Sequence, residues 1–506
     1  MVDISDKMKK IVKLIEYGDY FTINRPRQYG KTTVLHMLPT YLPEGYTFIR
    51  LSFEGVGETM FSTPHMFCQR FLWQVSNFLE LSDTSYATQW QDESVVDFDL
   101  LREKITQLTV DKKIVLAIDE VDKTSNNVIF LQFIGMLRNS FLNREEKATF
   151  HSVILAGVHD IKNIKWKMMK EEVYNKPHQS GTLYNSPWNI AADFNTDMSF
   201  NPTEIASMLT TYEADHNSGM CIQTISQELY KYTSGYPFLV SRLCQIIEDY
   251  LDSNWSLEGV QDAVKIITTT ELNTLFDDLF KNLHNNPAIY KLMYDILVLG
   301  KHNPREPYNP EVEWSRMFGF ITVNSNGRIY ISNKIFEARL IKYFITAEAN
   351  DNHLRDENNK ATSLDILKDD KFNLELCLRK FAAFFSTVYT NKDDDFYEKY
   401  GLLLFIAYLN PLVNGQGFYH VESETSDGRR MDLVLDYRAE QFIIELKLWY
   451  GEAAHEKAID QLLGYLKTKN AHKGYLLTFD LRKEKNKNPK AEWITKDNIQ
   501  IFNIIV

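Results

Sequence analysis

Two small sets of residues in this 506-residue chain have the types and spacing for phosphate chemistry. The first begins with Gly30, Lys31 and Thr32, at the end of the segment RPRQYGKTT. A glycine lets the backbone approach a phosphate, a lysine neutralises β- and γ-phosphate oxygens, and a threonine hydroxyl can hold Mg²⁺. Arg27, Gln28, Tyr29 and Thr33 complete the candidate cofactor-binding stretch, where N–H groups at a helix start can be directed at an anion. The pattern G-x-x-x-x-G-K-[ST] is met except at its first glycine position, which holds Arg25. About 90 residues later, Asp119 and Glu120 follow the apolar run Ile114 to Ile118. A buried strand with acids at its C-terminal end reads this way. Asp119 would bind Mg²⁺, and Glu120 would orient or activate water. Either piece alone has a plain explanation, a helix that happens to begin Gly-Lys-Thr or a core strand ending in a solvated acidic turn. Together and in this order they specify a nucleotide site.

The second set lies in GRRMDLVLDYRAEQFIIELKLWYG, residues 428 to 451. Two strand-like runs flank a polar turn. Asp432 stands on the first run and Glu445 and Lys447 on the second, where a period of two puts the last two on one face. Two carboxylates suffice for Mg²⁺, which takes oxygen ligands and keeps several waters. With a lysine beside them, they suit phosphodiester hydrolysis: Asp432 and Glu445 as metal ligands, Lys447 to position the attacking water or stabilise the transition state. The competing expectation is a solvated sheet face with a cross-strand pair.

These residues need elements to hold them. A strand at Tyr20 to Ile23, a turn-rich loop and an amphipathic helix from Lys31 give the strand–loop–helix context of a phosphate-binding loop. Further strands are expected at 47–55 and 150–160, alternating with helices, which argues for a parallel α/β sheet. Residues 200–345 read as mostly helical, and β-rich runs around Asn326-Gly327 signal a hairpin before another helix, a winged-helix-like unit. Around the second set, a helix with Glu398 near its start precedes the hairpin. A helix with Gln461 and Tyr465 one turn apart follows it, and then another strand.

Composition sets outer limits. The length implies two to four domains. A formal net charge of −12 argues against non-specific coating of nucleic acid while allowing a local basic groove. Residues 371–506 carry 19 Lys+Arg and 19 Asp+Glu, so this part is neutral; its basic run at 482–490 could track a nucleic-acid backbone. Four scattered cysteines, none in a C-x-x-C pair, point to a reducing cytosol. No apolar run reaches the roughly 20 residues of a membrane span, so no membrane partner is expected and the protein is read as cytoplasmic.

The motifs RPRQYGKTT, LAIDEVD and SGTLYNSPWNIA resemble the AAA-ATPase-like domain found at the N-terminus of many bacterial proteins, over roughly residues 5–215. The Arg-Pro-Arg lead-in is common in that family, so the resemblance makes Arg25 a family trait. It implies ATP and Mg²⁺ as cofactors, Asp119-Glu120 as a Walker B pair, and a lid helix opened by Gly235-Tyr236-Pro237. It also implies self-association, since such sites often take an arginine from a neighbouring subunit. Arg138 and Arg144 are candidates, and His159 stands where related ATPases place a sensor. Residues 373–500 are similar to the PD-(D/E)XK nuclease superfamily, with Asp432, Glu445-Leu446-Lys447, Gln461 and Tyr465 as its motif and Met431 where a proline is often found. That similarity implies catalytic roles for Asp432, Glu445 and Lys447, a ligand or supporting contact from Glu398, and orientation of the site by Gln461.

The expected architecture is α/β and multidomain. A P-loop NTPase domain with a parallel sheet spans 1–205, a helical and winged-helix-like lid 206–345, a linker 346–372 and a PD-(D/E)XK nuclease-like domain 373–506. The expected function is a nucleotide-regulated, Mg²⁺-dependent nuclease, with DNA the favoured partner. The alternative is an ATP-dependent switch or scaffold whose C-terminal domain binds nucleic acid or protein without cutting.

Overall fold

The computed structural model describes residues 2–121, 128–157, 188–297, 309–351, 366–368, 371–388, 398–413, 417–424, 430–438, 440–482 and 490–506. His159, most of the basic run at 482–490, and the side chains of Glu398 and Asp432 lie outside the described residues. The chain divides into two compact units, Met1–Leu279 with Tyr308–Thr322, and Phe280–Pro307 with Val323–Val506.

The first unit is built on four parallel strands, β1 (Tyr20–Asn24), β2 (Tyr46–Ser52), β3 (Lys113–Asp119) and β4 (Ser152–Gly157), in the order β1-β4-β3-β2. A parallel bridge from Phe21 to Ala192 covers the other side of β1. The strands are apolar on both faces because helices lie on both. Ile114, Leu116 and Ile118 join one core with α3 (Pro64–Glu80), α5 (Phe98–Thr109) and α6 (Val128–Leu142), while Val115 and Ala117 join the other with α1 (Ser5–Glu16) and α2 (Lys31–Met37). This is the alternation of a strand with period two, buried twice. A short α4 (Thr84–Gln89) completes the first layer.

A helical run follows: α7 (Pro202–His216), α8 (Ile222–Thr233), α9 (Pro237–Tyr250), α10 (Leu257–Thr269), α11 (Thr274–Asn285), α12 (Pro287–Leu297) and α13 (Pro310–Met317). The start of α7 is set by a capping box: the Asn201 side chain accepts from Glu204 N and Glu204 accepts from Asn201 N. Lys7 of α1 pairs with Glu204 at 2.6 Å, fixing α7 to the sheet layer. Between α8 and α9, Gly235 sits at φ +73°, and a Cβ there would lie 1.9 Å from the Phe200 carbonyl oxygen. Gly235→Ala combines a left-handed backbone with a backbone clash. It is expected to destabilise the first unit by about 2–4 kcal/mol, read as a fall in the denaturant midpoint at unchanged slope.

The hairpin expected at Asn326-Gly327 is present as β5 (Ile321–Val323) and β6 (Ile329–Ile331), with Gly327 at φ +74° and Asn324 Oδ1 accepting from Asn326 N and Arg328 N. The following helix, α14 (Lys334–Asp351), runs on into the stretch read as a linker. Near the end of that stretch β7 (Leu367–Lys368) pairs with β8 (Lys371–Phe372), so 346–372 is partly structured.

The second unit holds a six-stranded mixed sheet. Its strands are β9 (Gly417–Glu424), β10 (Arg430–Tyr437), β11 (Glu440–Leu448), β12 (Lys473–Phe479), β13 (Lys490–Lys496) and β14 (Ile499–Ile505), in the order β13-β14-β12-β11-β10-β9. β11, β12 and β14 run parallel; β9, β10 and β11 form an antiparallel meander. One face packs on α17 (Glu452–Thr468), with Val434, Ile443, Leu476 and Ile501 against Leu462 and Leu466. The other face meets α15 (Leu374–Val388) and α16 (Glu398–Val413): the Phe385 and Phe479 rings are 5.1 Å apart, and a Cβ on Gly401 would lie 2.5 Å from Phe479. β11 is therefore central in the sheet and covered on both sides.

Candidate functional site

The phosphate-loop residues converge at the C-terminal end of β1. This is the edge of a parallel sheet where ligands bind. Lys31 is buried, and its ammonium reaches back across the loop to the carbonyls of Arg25 (3.0 Å) and Pro26 (2.8 Å). Gly30 at φ +78° and Gln28 at φ +55° both take the left-handed region, the second without a glycine's freedom. The structure also brings the two nucleotide motifs together: Thr32 Oγ1 donates to Asp119 Oδ2 at 2.7 Å, across 87 residues of sequence. Asp119 is buried; its second oxygen accepts from Glu120 N at 3.0 Å, and Glu120 is held at φ +57°. Glu120 itself is only partly buried.

Arg25, in place of the first glycine, turns away from the loop. Its guanidinium donates to the carbonyls of Asn24 (2.8 Å), Phe194 (3.3 Å) and Thr196 (2.5 Å) and stacks over the Phe194 ring at 4.9 Å. Burial holds its pKa below the ordinary arginine value. The side chain thus fastens the start of the loop to the segment at 194–196.

Of the helical residues that hold the loop, Tyr236 stands in the Gly235-Tyr236-Pro237 stretch that the sequence singles out, while Thr274 and Asp278 have no signature there. The Tyr236 hydroxyl donates to the Arg27 carbonyl at 2.6 Å, Arg27 pairs with Asp278 at 2.9 Å, and Gln28 donates to Thr274 Oγ1 at 2.8 Å. Tyr29 meets Tyr236 edge to face at 4.7 Å, and the Pro26 ring packs where a Cβ on Gly319 would stand. Burial pushes the Tyr29 phenol up to about 12 and Tyr236 well above its ordinary value, so both stay protonated near neutrality. Of the two arginines considered for a neighbouring site, Arg138 donates to Asn189 at 2.8 Å and Arg144 to the Gly18 carbonyl at 2.9 Å.

In the second unit Glu445 is fully buried. This overturns the solvated-face reading of the hairpin. The reason is that α17 covers the face that Glu445 shares with Ile443, while β10 and β12 pair on either side of β11. Lys447 Nζ lies 3.0 Å from Glu445 Oε1 and also donates to the Leu446 carbonyl at 2.9 Å. Glu445 and Lys447 share the face of Ile443, the one covered by α17. Gln461 and Tyr465 stand on that helix; the Gln461 amide donates to the Tyr465 hydroxyl, and Gln461 is exposed while Tyr465 is buried. The register pairs Leu433 with Ile444, so the next positions outward on the two strands are Asp432 and Glu445, adjacent across the hairpin. Among the described residues no group of three or more His, Cys, Asp or Glu gathers as a metal cluster. A buried carboxylate and a hairpin neighbour of the same type are still the hard oxygen donors that Mg²⁺ takes. No helix among the described residues is long and apolar enough to cross a membrane.

No curated protein matches the chain. Among solved structures it is similar to the Walker-type ATPase of Pyrococcus abyssi, with TM-score 0.47 and 12% identity over 67% of this chain and 96% of that one. It is similar to the ORC2 protein of Aeropyrum pernix, solved as ADPNP–ADP complexes, with TM-score 0.36 and 11% identity over 68% and 94%. It is also similar to Cdc6p from Pyrobaculum aerophilum, with TM-score 0.31 and 13% identity over 67% and 94%. Residues 5–309, more than half of the chain, match the AAA-like domain family, and with its phosphate loop and Asp119-Glu120 in contact the chain belongs to that family.

Proposed function

We propose that the protein binds and hydrolyses ATP at the loop around Lys31, and that this controls Mg²⁺-dependent phosphodiester cleavage, with DNA the favoured substrate, at Glu445 and Lys447. At the first site Lys31 would neutralise phosphate oxygens, while Thr32 and Asp119 would hold the metal with two oxygens already in contact. Glu120 would orient the water. Bound Mg²⁺ supplies charge neutralisation at both sites.

The nuclease reading is carried by one observation: a fully buried carboxylate paired with a lysine on the central strand of a second sheet. A core position of this kind is ordinarily apolar, because burying an ion pair costs more than its attraction returns unless the geometry is very good. A functional demand on Glu445 accounts for its retention. In that role Glu445 and Asp432 would hold the metal. Lys447 would exchange its contact with Glu445 for one with the attacking water or a phosphate oxygen, and Gln461 would orient the site from α17. Glu398 opens α16, where a further carboxylate contact is proposed.

The test is incubation of the full chain with supercoiled plasmid, single-stranded DNA and RNA in Mg²⁺ or Mn²⁺, beside Glu445→Gln. Cleavage lost in the variant supports the reading, and equal cleavage by both proteins sinks it. Stoichiometric, ATP-sensitive binding without cleavage would instead establish the switch or scaffold.

A further inference from the structure

We propose that Tyr236, Thr274 and Asp278 are positioning residues for nucleotide affinity, a clamp that imposes the binding conformation on the phosphate loop from the helical segment. The inference rests on the nucleotide reading of that loop. Its basis is where the strain lies and what surrounds it. Gln28 is not a glycine, yet it is held at φ +55°. Such a backbone is disfavoured for an ordinary L-residue and persists only when the surroundings over-determine it.

Three contacts supply that determination, all to the Arg27–Gln28 pair. The Tyr236 hydroxyl fixes the Arg27 carbonyl at 2.6 Å, and so the orientation of the peptide that enters Gln28. Thr274 takes the Gln28 amide at 2.8 Å, and Asp278, one turn further along α11, takes the Arg27 guanidinium at 2.9 Å. Tyr236 is buried and the other two contacts are largely exposed, so Tyr236 contributes most. The first turns of α11 and the start of α9 therefore grip one strained peptide from separate directions. The loop meets its ligand already shaped, and the ordering cost of binding falls.

The experiment is titration of the full chain with a fluorescent ATP analogue in Mg²⁺. Tyr236→Phe is expected to weaken affinity about three- to tenfold, and Thr274→Val and Asp278→Asn each about two- to fourfold. The deciding comparison is made in a Gln28→Gly background, since glycine holds a positive φ unaided. Tyr236 is the residue compared, because its acceptor is the Arg27 carbonyl, which Gln28→Gly leaves in place. Measured against Gln28→Gly itself, adding Tyr236→Phe should cost less affinity than it costs in the wild-type loop. A Tyr236→Phe loss of the same size in both backgrounds would mean that Tyr236 does not act through the strained peptide, and would overturn the clamp. Affinity that Lys31→Ala abolishes but that Tyr236→Phe and Thr274→Val leave unchanged overturns the clamp while the nucleotide reading stands. Absence of binding by the wild-type chain overturns both.

Discussion

Lys31→Ala is expected to lower affinity for ATP at least about 100-fold, measured by titration with a fluorescent analogue. Lys31 is buried where the loop enters α2, and its ammonium is held by the carbonyls of Arg25 and Pro26, so in the proposed site its charge is kept within the phosphate loop. A charge-assisted contact to a phosphate is worth about 1.5–3 kcal/mol, and loss of two such contacts exceeds a factor of 100. The variant also strips two carbonyls of their partner, so a modest fall in stability of about 1–3 kcal/mol should accompany the loss. Lys31→Arg tests whether charge alone suffices: guanidinium geometry does not fit a clasp between adjacent carbonyls, and most of the loss should remain.

Glu445→Ala is the second large effect. It should abolish cleavage and divalent-cation binding at the Glu445 site, leaving cation binding at Thr32 and Asp119 intact, and it should destabilise the second unit by about 2–4 kcal/mol, because it leaves a cavity beneath α17 and the Lys447 ammonium without its 3.0 Å partner. Glu445→Gln keeps the volume. It should lose cleavage to the same degree at a smaller cost in stability, which separates chemistry from folding. Chemical denaturation, followed through aromatic fluorescence, and calorimetric titration with Mn²⁺ read the two quantities independently. Unchanged cation binding in Glu445→Gln would contradict the assignment of Glu445 as a ligand.

What the sequence shows and what it conceals divide along a physical line. Lys31, Thr32 and Asp119 are legible because their chemistry demands particular residue types at ends of elements, and the apolar run Ile114 to Ile118 announces a strand buried on both faces. Asn326-Gly327 is legible because few residue pairs tolerate the backbone that its turn requires. The burial of Glu445 is not legible. Alternation along a strand reports which residues share a face, but the coverage of that face comes from α17, and the centrality of β11 comes from β10 and β12 pairing on either side. The partners of the phosphate loop are hidden for a related reason. Tyr236, Thr274 and Asp278 stand more than 200 residues beyond Arg27 and Gln28; Gly235-Tyr236-Pro237 marks the start of a lid helix, but no local pattern reports which loop residue each of the three would reach. Arg25 reads as a family trait in the sequence, but what it does there is not legible: its guanidinium lies on the carbonyls of Phe194 and Thr196, where it anchors the start of the loop.

The central claim is that occupancy of the Lys31 site controls cutting at the Glu445 site. The most direct measurement is the rate of plasmid cleavage by the full chain in Mg²⁺, with and without ATP, for wild type, Lys31→Ala and Glu445→Gln side by side. Wild type should cut at a rate that changes with ATP, Lys31→Ala at a rate that ATP does not alter, and Glu445→Gln not at all. A Lys31→Ala protein that still responds to ATP as wild type does, or a Glu445→Gln protein that cuts at the wild-type rate, would contradict it.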